Sequence, residues 1–137
     1  MSETRVALRD RDYAALAEFR YALRRFEAFS EGRAAEQGLT PQQHQALLAI
    51  RGAAAGQATV GYLAERLILK PHSATGLVDR LEAAGLVVRE TVPDDRRRAR
   101  LRLTERAHDV LTLLSAVHRD EIRRLRPALE DILAHLG

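Results

Sequence analysis

The sequence contains no cysteine, which excludes disulfides, thiolate catalysis and any oxidant switch that works through a thiol. Its five histidines form neither an HExxH motif nor an i, i+4 pair. A metal site would have to be assembled from distant segments, and no metal is expected. No serine has a G-x-S-x-G setting and there is no glycine-rich phosphate loop, so no catalytic residue is assigned, no cofactor is expected and the chain reads as a non-enzyme. No apolar run approaches the length of a membrane span. The opening stretch MSETRVALRDRDY carries acids and arginines where a signal peptide would have an apolar core, so a cytoplasmic protein without a membrane partner is expected. Internal repeats and low-complexity linkers are missing too, and residues 53–57 are the one slack connection.

What is present is one domain's worth of chain, 137 residues with a formal net charge of +3. The charge is uneven, with the positive excess concentrated between residues 70 and 104. Lys70 is the sole lysine; all other basic side chains are arginine. A GC-rich genome accounts for that bias more simply than selection for guanidinium chemistry.

The patterning of residues 59–104 predicts two short helices, a tight turn and a β-hairpin. Thr59 suits an N-cap, and Leu63, Ala64 and Leu67 share one face of a helix from about Val60 to Leu67. Pro71 suits the first turn of a second helix, in which Ala74, Leu77, Val78 and Leu81 follow at i, i+3, i+4, i+7. Gly85 ends it as a left-handed terminator. Beyond Gly85 the period becomes two: Leu86 and Val88 are expected on one side of a strand, Pro93-Asp94-Asp95 in the turn, and Leu101 and Leu103 alternating with Arg100 and Arg102 on the return. Residues 40–104 therefore read as a winged helix-turn-helix.

Outside the apolar stripe the second helix presents His72, Ser73, Thr75, Gly76, Asp79, Arg80 and Ala83, most of them small. Short side chains let a helix backbone approach base edges in a DNA major groove. Gly76 costs about 1 kcal/mol relative to Ala in a helix interior; close approach to a partner is one reason to keep it, and drift on a solvated face is the other. The hairpin carries Arg96, Arg97, Arg98, Arg100 and Arg102 with no acid among them. Such a set faces solvent or a polyanion, and an arginine at the tip fits a narrow minor groove. DNA contacts are thus expected from Lys70, Arg80, Arg96, Arg97, Arg98 and Arg100, with Ser73, Thr75 and His72 nearest the bases and Asp95 steadying Arg97. The alternative is a winged-helix protein-interaction module that turns the same surface to an acidic protein.

Long helices are expected on both flanks. The first, about 8–36, steps through Tyr13, Leu16, Phe19, Leu23 and Phe26. A capping box at Thr40 and Gln43 opens a supporting helix with Leu47, Leu48 and Ile50 that ends near Gly52. The last region, 105–137, is capped by Thr104, carries Leu111, Leu114 and Val117 on one face, and should break near Arg126 because Pro127 cannot continue the ladder. One small core cannot hide both terminal stripes. A homodimer follows, with two reading helices roughly 34 Å apart on a pseudo-palindromic double-stranded DNA site. The fold class is mainly α with a small β-hairpin wing: a winged helix-turn-helix flanked by long N- and C-terminal dimerisation helices, forming one domain over 1–137.

LAERL at 63–67, SATGLVDRLEAAGLV at 73–87 and the wing pattern of Asp95, Arg97, Leu103 and Thr104 together resemble the MarR family of bacterial transcription regulators, and the similarity extends over nearly the whole chain. The resemblance implies a dimer with interleaved terminal helices, Arg97 as wing arginine with Asp95 as its supporting acid, and repression relieved by a small phenolic or aromatic ligand. Tyr13, Tyr21, Phe26 and His44 are the candidates for such a pocket, although at helical spacing aromatic residues more often serve packing. Two positions depart from the family pattern: Ile68 stands where a small turn residue such as glycine is common, and Gly76 where a longer polar residue often reads a base.

Overall fold

The computed structural model describes residues 7–92 and 95–136. In chain order the elements are α1 (Asp10–Glu36), α2 (Pro41–Gly52), α3 (Val60–Leu67), α4 (Pro71–Ala83), β1 (Val87–Val92), β2 (Asp95–Leu103) and α5 (Glu105–His135). They form two compact units, one of Glu31–Ala116 and one of Met1–Ser30 with Val117–Gly137.

Local chemistry sets most boundaries of the first unit. The capping box is made: Gln43 N–H donates to Thr40 Oγ1 at 3.1 Å, and Thr40 N–H to Gln43 Oε1 at 3.0 Å. Thr59 caps α3 through a 3.1 Å bond from Tyr62 N–H. The chain leaves α4 by a Schellman turn, with Leu86 N–H on Leu81 O, Gly85 N–H on Glu82 O and Gly85 at φ +72. α3 ends by the same pattern of bonds, Leu69 N–H to Ala64 O and Ile68 N–H to Glu65 O, but here the left-handed position is held by Ile68 at φ 54 and ψ 52. Thr104 Oγ1 accepts from Ala107 N–H at the start of α5 and donates to Gly85 O at 2.7 Å. Arg106 Nη1 donates to Ala84 O. The first turn of α5 thereby satisfies carbonyls that the end of α4 leaves open.

The core of this unit is closed. Leu47, Leu63, Leu77, Leu81 and Val78 are its largest fully buried side chains, joined by Ala34, Leu101, Leu103 and Leu111. Each of the leucines and the valine contributes about 1.5–3 kcal/mol by burial. Leu48, by contrast, points outward from α2.

β1 and β2 pair antiparallel, with Val87 opposite Leu103, Val88 opposite Arg102, Arg89 opposite Leu101 and Glu90 opposite Arg100. This corrects the expected strand phase. Leu86 belongs to the Schellman turn, so alternation starts one residue later: Val87 is buried and Val88 faces out. Leu101 N–H donates to Ala58 O at 2.6 Å beside a bridge between Thr59 and Arg100, which stitches the ribbon to the loop before α3.

In the second unit, Ala15, His118 and Ile132 are buried, whereas Leu8, Tyr13, Leu16, Phe19, Tyr21, Leu23, Ile122, Leu133 and Leu136 are exposed. The expected break at Pro127 does not occur, since α5 runs through it. Pro127 removes a single main-chain donor and its ring is exposed. Leu125 and Leu129 pack on the other side, and Arg126 bonds Glu130 one turn on at 2.9 Å. An interior proline costs about 3 kcal/mol locally, and the helix continues across it all the same. No helix among the described residues is long and apolar enough to cross a membrane.

Candidate nucleic-acid interface

The inward stripe of α4 is Ala74, Leu77, Val78 and Leu81, so at 100° per residue the opposite side is centred on His72, Gly76, Asp79 and Ala83. His72, Thr75, Asp79, Arg80 and Ala83 are exposed, while Ser73 and Gly76 are half-buried. Lys70 occupies the N-cap, exposed and without a side-chain capping bond. Thr75 Oγ1 donates to Pro71 O at 3.1 Å, which leaves the hydroxyl as an acceptor and the methyl as an apolar contact. Arg80 lies back over Gly76: a Cβ built at Gly76 would sit 3.5 Å from Arg80 Nη1, an ordinary contact. Space inside the chain therefore does not demand glycine there. Arg80 and Lys70 make no ion pair with other described residues.

The ribbon runs beside this helix. Arg100 and Arg102 project from its outward face with Val88 and Glu90. Arg102 Nε is bonded to Glu90 Oε1, which partly commits its charge. The Arg100 guanidinium lies 3.4 Å from where a Cβ at Gly56 would stand, and Gly56 has φ +78. Arg96, Arg97 and Arg98 fall within β2. Their side chains, that of Asp95 and the expected Asp95–Arg97 contact lie outside the described residues, as do Pro93 and Asp94 of the expected turn.

A group that the sequence did not bring forward joins the ribbon to the helix. Arg89, on the inward face of β1, reaches Asp79 Oδ1 with Nη2 at 2.7 Å and Glu82 Oε1 with Nη1. Its outward neighbours on the strand are apolar or acidic, and nothing in the local pattern ties residue 89 to 79 and 82.

The four candidates for a ligand pocket have different settings. Phe26 lines an apolar groove of about 210 Å³ in the helix pair, with Phe19, Ala22, Leu23, Ile122, Leu125 and Leu129. Tyr13 and Tyr21 are exposed and do not line it, and the Arg25 guanidinium lies 5.7 Å from the Tyr21 ring centre. His44 is buried in α2, within the other unit. The residue the sequence missed is His118, buried with Nε2 2.8 Å from Ser30 Oγ and edge-on to Phe26 and Phe29. It shares a helical face with Leu111 and Leu114, and that spacing was its only signal. A second cavity, about 280 Å³, lies between α2 and α3, lined by Leu48, Tyr62, Arg66 and Leu67 among others. Among the described residues no three His, Asp or Glu side chains converge as a metal site would require.

Residues 37–98 match the model of the MarR family. An uncharacterized HTH-type transcriptional regulator of Bacillus subtilis (strain 168), YcgE, is 54% identical over 44 residues, which are 32% of this chain and 29% of that protein. The chain thus matches less than a third of that relative's length. The structure of a MarR family protein from Bacillus stearothermophilus superimposes with a TM-score of 0.74 at 25% identity, over 93% of this chain and 90% of that one. The S. aureus MepR–DNA complex superimposes with a TM-score of 0.73 over 86% of this chain and 90% of that one; at 19% identity this is a likeness of fold.

Proposed function

Because this chain carries the MarR-family winged helix, we propose that it is a dimeric, sequence-specific DNA-binding transcriptional regulator, a repressor released by a small ligand. The observation that carries the reading is the juxtaposition of a helix whose outward face is mostly small with an arginine-loaded ribbon fixed beside it. Ser73, Thr75 and His72 face the bases, Gly76 gives clearance, and Lys70, Arg80 and Arg100 supply phosphate contacts. Arg96, Arg97 and Arg98 extend them along the ribbon, with Asp95 supporting Arg97. The related fold of MepR, solved on DNA, supports the same use of this surface. Such a regulator works by binding, in the cytoplasm where the chromosome lies.

Exposed apolar side chains on α1 and α5 support the homodimer. Release by an aromatic or phenolic ligand rests on family kinship. The groove around Phe26 offers apolar walls for an aromatic ring and, among the described residues that line it, no polar side chain for its substituents, and a ligand acts only through different affinity for the DNA-competent and incompetent states.

The test is a fluorescence-anisotropy titration against DNA from upstream of the chain's own gene and a shuffled copy, with Arg97→Ala alongside. Preference for the upstream DNA, weakened about tenfold in the variant, is expected. Equal, weak binding of both sequences would remove the operator reading. A thermal-shift series with phenolic acids that left both melting and DNA affinity unchanged would remove the ligand.

A further inference from the structure

Asp79 lies at the centre of the outward face of α4, where a phosphate backbone or base edges would approach, and Glu82 follows on the flank toward the ribbon. Their side chains keep 63% and 37% of their exposure, so both carboxylates stay in the field seen from outside. An acid in that place opposes DNA binding. Among the described residues Arg89 alone forms ion pairs with them. It forks from β1, one guanidinium nitrogen on each carboxylate, and is itself 26% exposed. Within this cluster two acids held by one arginine leave one negative charge in excess.

We propose that Arg89 sets the DNA affinity of this protein as a positioning residue that touches no base: by pinning Asp79 and Glu82 it offsets part of their repulsion, and the charge left over holds phosphate binding in check. The inference rests on the DNA-binding reading above. Exposed ion pairs add little to folding stability, which fits a role in the surface field. A short-range charge on the reading face acts on every duplex alike, and so tempers non-specific binding that would compete with the chosen site.

The test uses the full chain and one duplex, the upstream DNA, at two salt concentrations. The variants are Arg89→Ala, Asp79→Asn with Glu82→Gln, and all three substitutions together. If the charge of the cluster governs affinity, binding is tightest for the acid-free variant that keeps Arg89, then the triple variant, then the wild type, then Arg89→Ala. Each step is about three- to tenfold at low salt and shrinks as salt rises. A purely structural tie between ribbon and helix gives another pattern: Arg89→Ala, the acid-free variant and the triple variant all bind more weakly than wild type. That pattern, or Arg89→Ala binding like wild type, overturns the inference. Should Arg89→Ala fail to fold, the acid-free variant decides alone, because tighter binding supports the inference and equal or weaker binding refutes it. A wild type that binds no duplex at low salt overturns the DNA reading itself, and the inference with it.

Discussion

Leu47 and Leu77, in the unit of residues 31–116, are shut away from water, whereas Leu16, Phe19 and Ile122 of the helix pair are 44, 44 and 51% exposed. The side chains are equally apolar; what differs is whether the chain can cover them. Leu47 and Leu77 share one cluster with side chains from α1, α3, the ribbon and the start of α5. In the other unit the described residues are those of two long helices and the short approach to the first, and much of their apolar stripe stays exposed. The winged unit completes its own core, while the helix pair leaves large apolar side chains uncovered.

The largest effect should come from breaking the closed core. Leu77→Ala is expected to cost about 2–5 kcal/mol, read from the midpoint of a urea melt at constant slope. A cost below about 1 kcal/mol would mean that the core relaxes around the loss and is not as closed as it looks. On the open side, Phe19→Ser combined with Ile122→Ser should leave helix content intact and raise the dimer dissociation constant at least about tenfold, the equivalent of about 1.4 kcal/mol. Sedimentation equilibrium measures it, and an unchanged mass distribution would mean that a second copy does not cover this face.

Much of the first unit was legible because its determinants are local. Thr40 with Gln43, Thr59, Gly85 and Thr104 each act within a few residues, and each sits where a side-chain or left-handed cap was expected. The strand phase departs from the simple alternation for a local reason too: the Schellman turn takes up Leu86, and one residue of delay moves every side chain to the other face. The long-range ties were not legible. Arg89 meets residues seven and ten positions back, and His118 meets Ser30 from 88 positions away; no periodicity encodes such pairs. Pro127 does not end α5 because one lost donor is a small part of the hydrogen-bond ladder in a helix of 31 residues.

Smaller effects sharpen the same contrast. Thr104→Ala removes a hydroxyl that both caps α5 and bonds Gly85 O, and should cost about 1–2 kcal/mol, against about 1 kcal/mol for Thr59→Ala, whose hydroxyl only caps α3. Equal losses would show that the bond to Gly85 adds nothing. Ile68→Gly should raise stability by up to about 1 kcal/mol. It relieves a β-branched residue in the left-handed region and, with Ile68 91% exposed, sacrifices little burial. A lower melting temperature would mean that Ile68 makes a contact worth more than the strain.

The central claim, that one unit reads DNA while the other pairs two readers, is tested most directly by selecting binders from a random duplex pool with the wild-type protein and footprinting the enriched sequences. The expected result is a pseudo-palindrome with half-sites about one helical turn apart, roughly 34 Å, protected on one face of the duplex. No enrichment over the starting pool, or enrichment of a single asymmetric half-site, would contradict it.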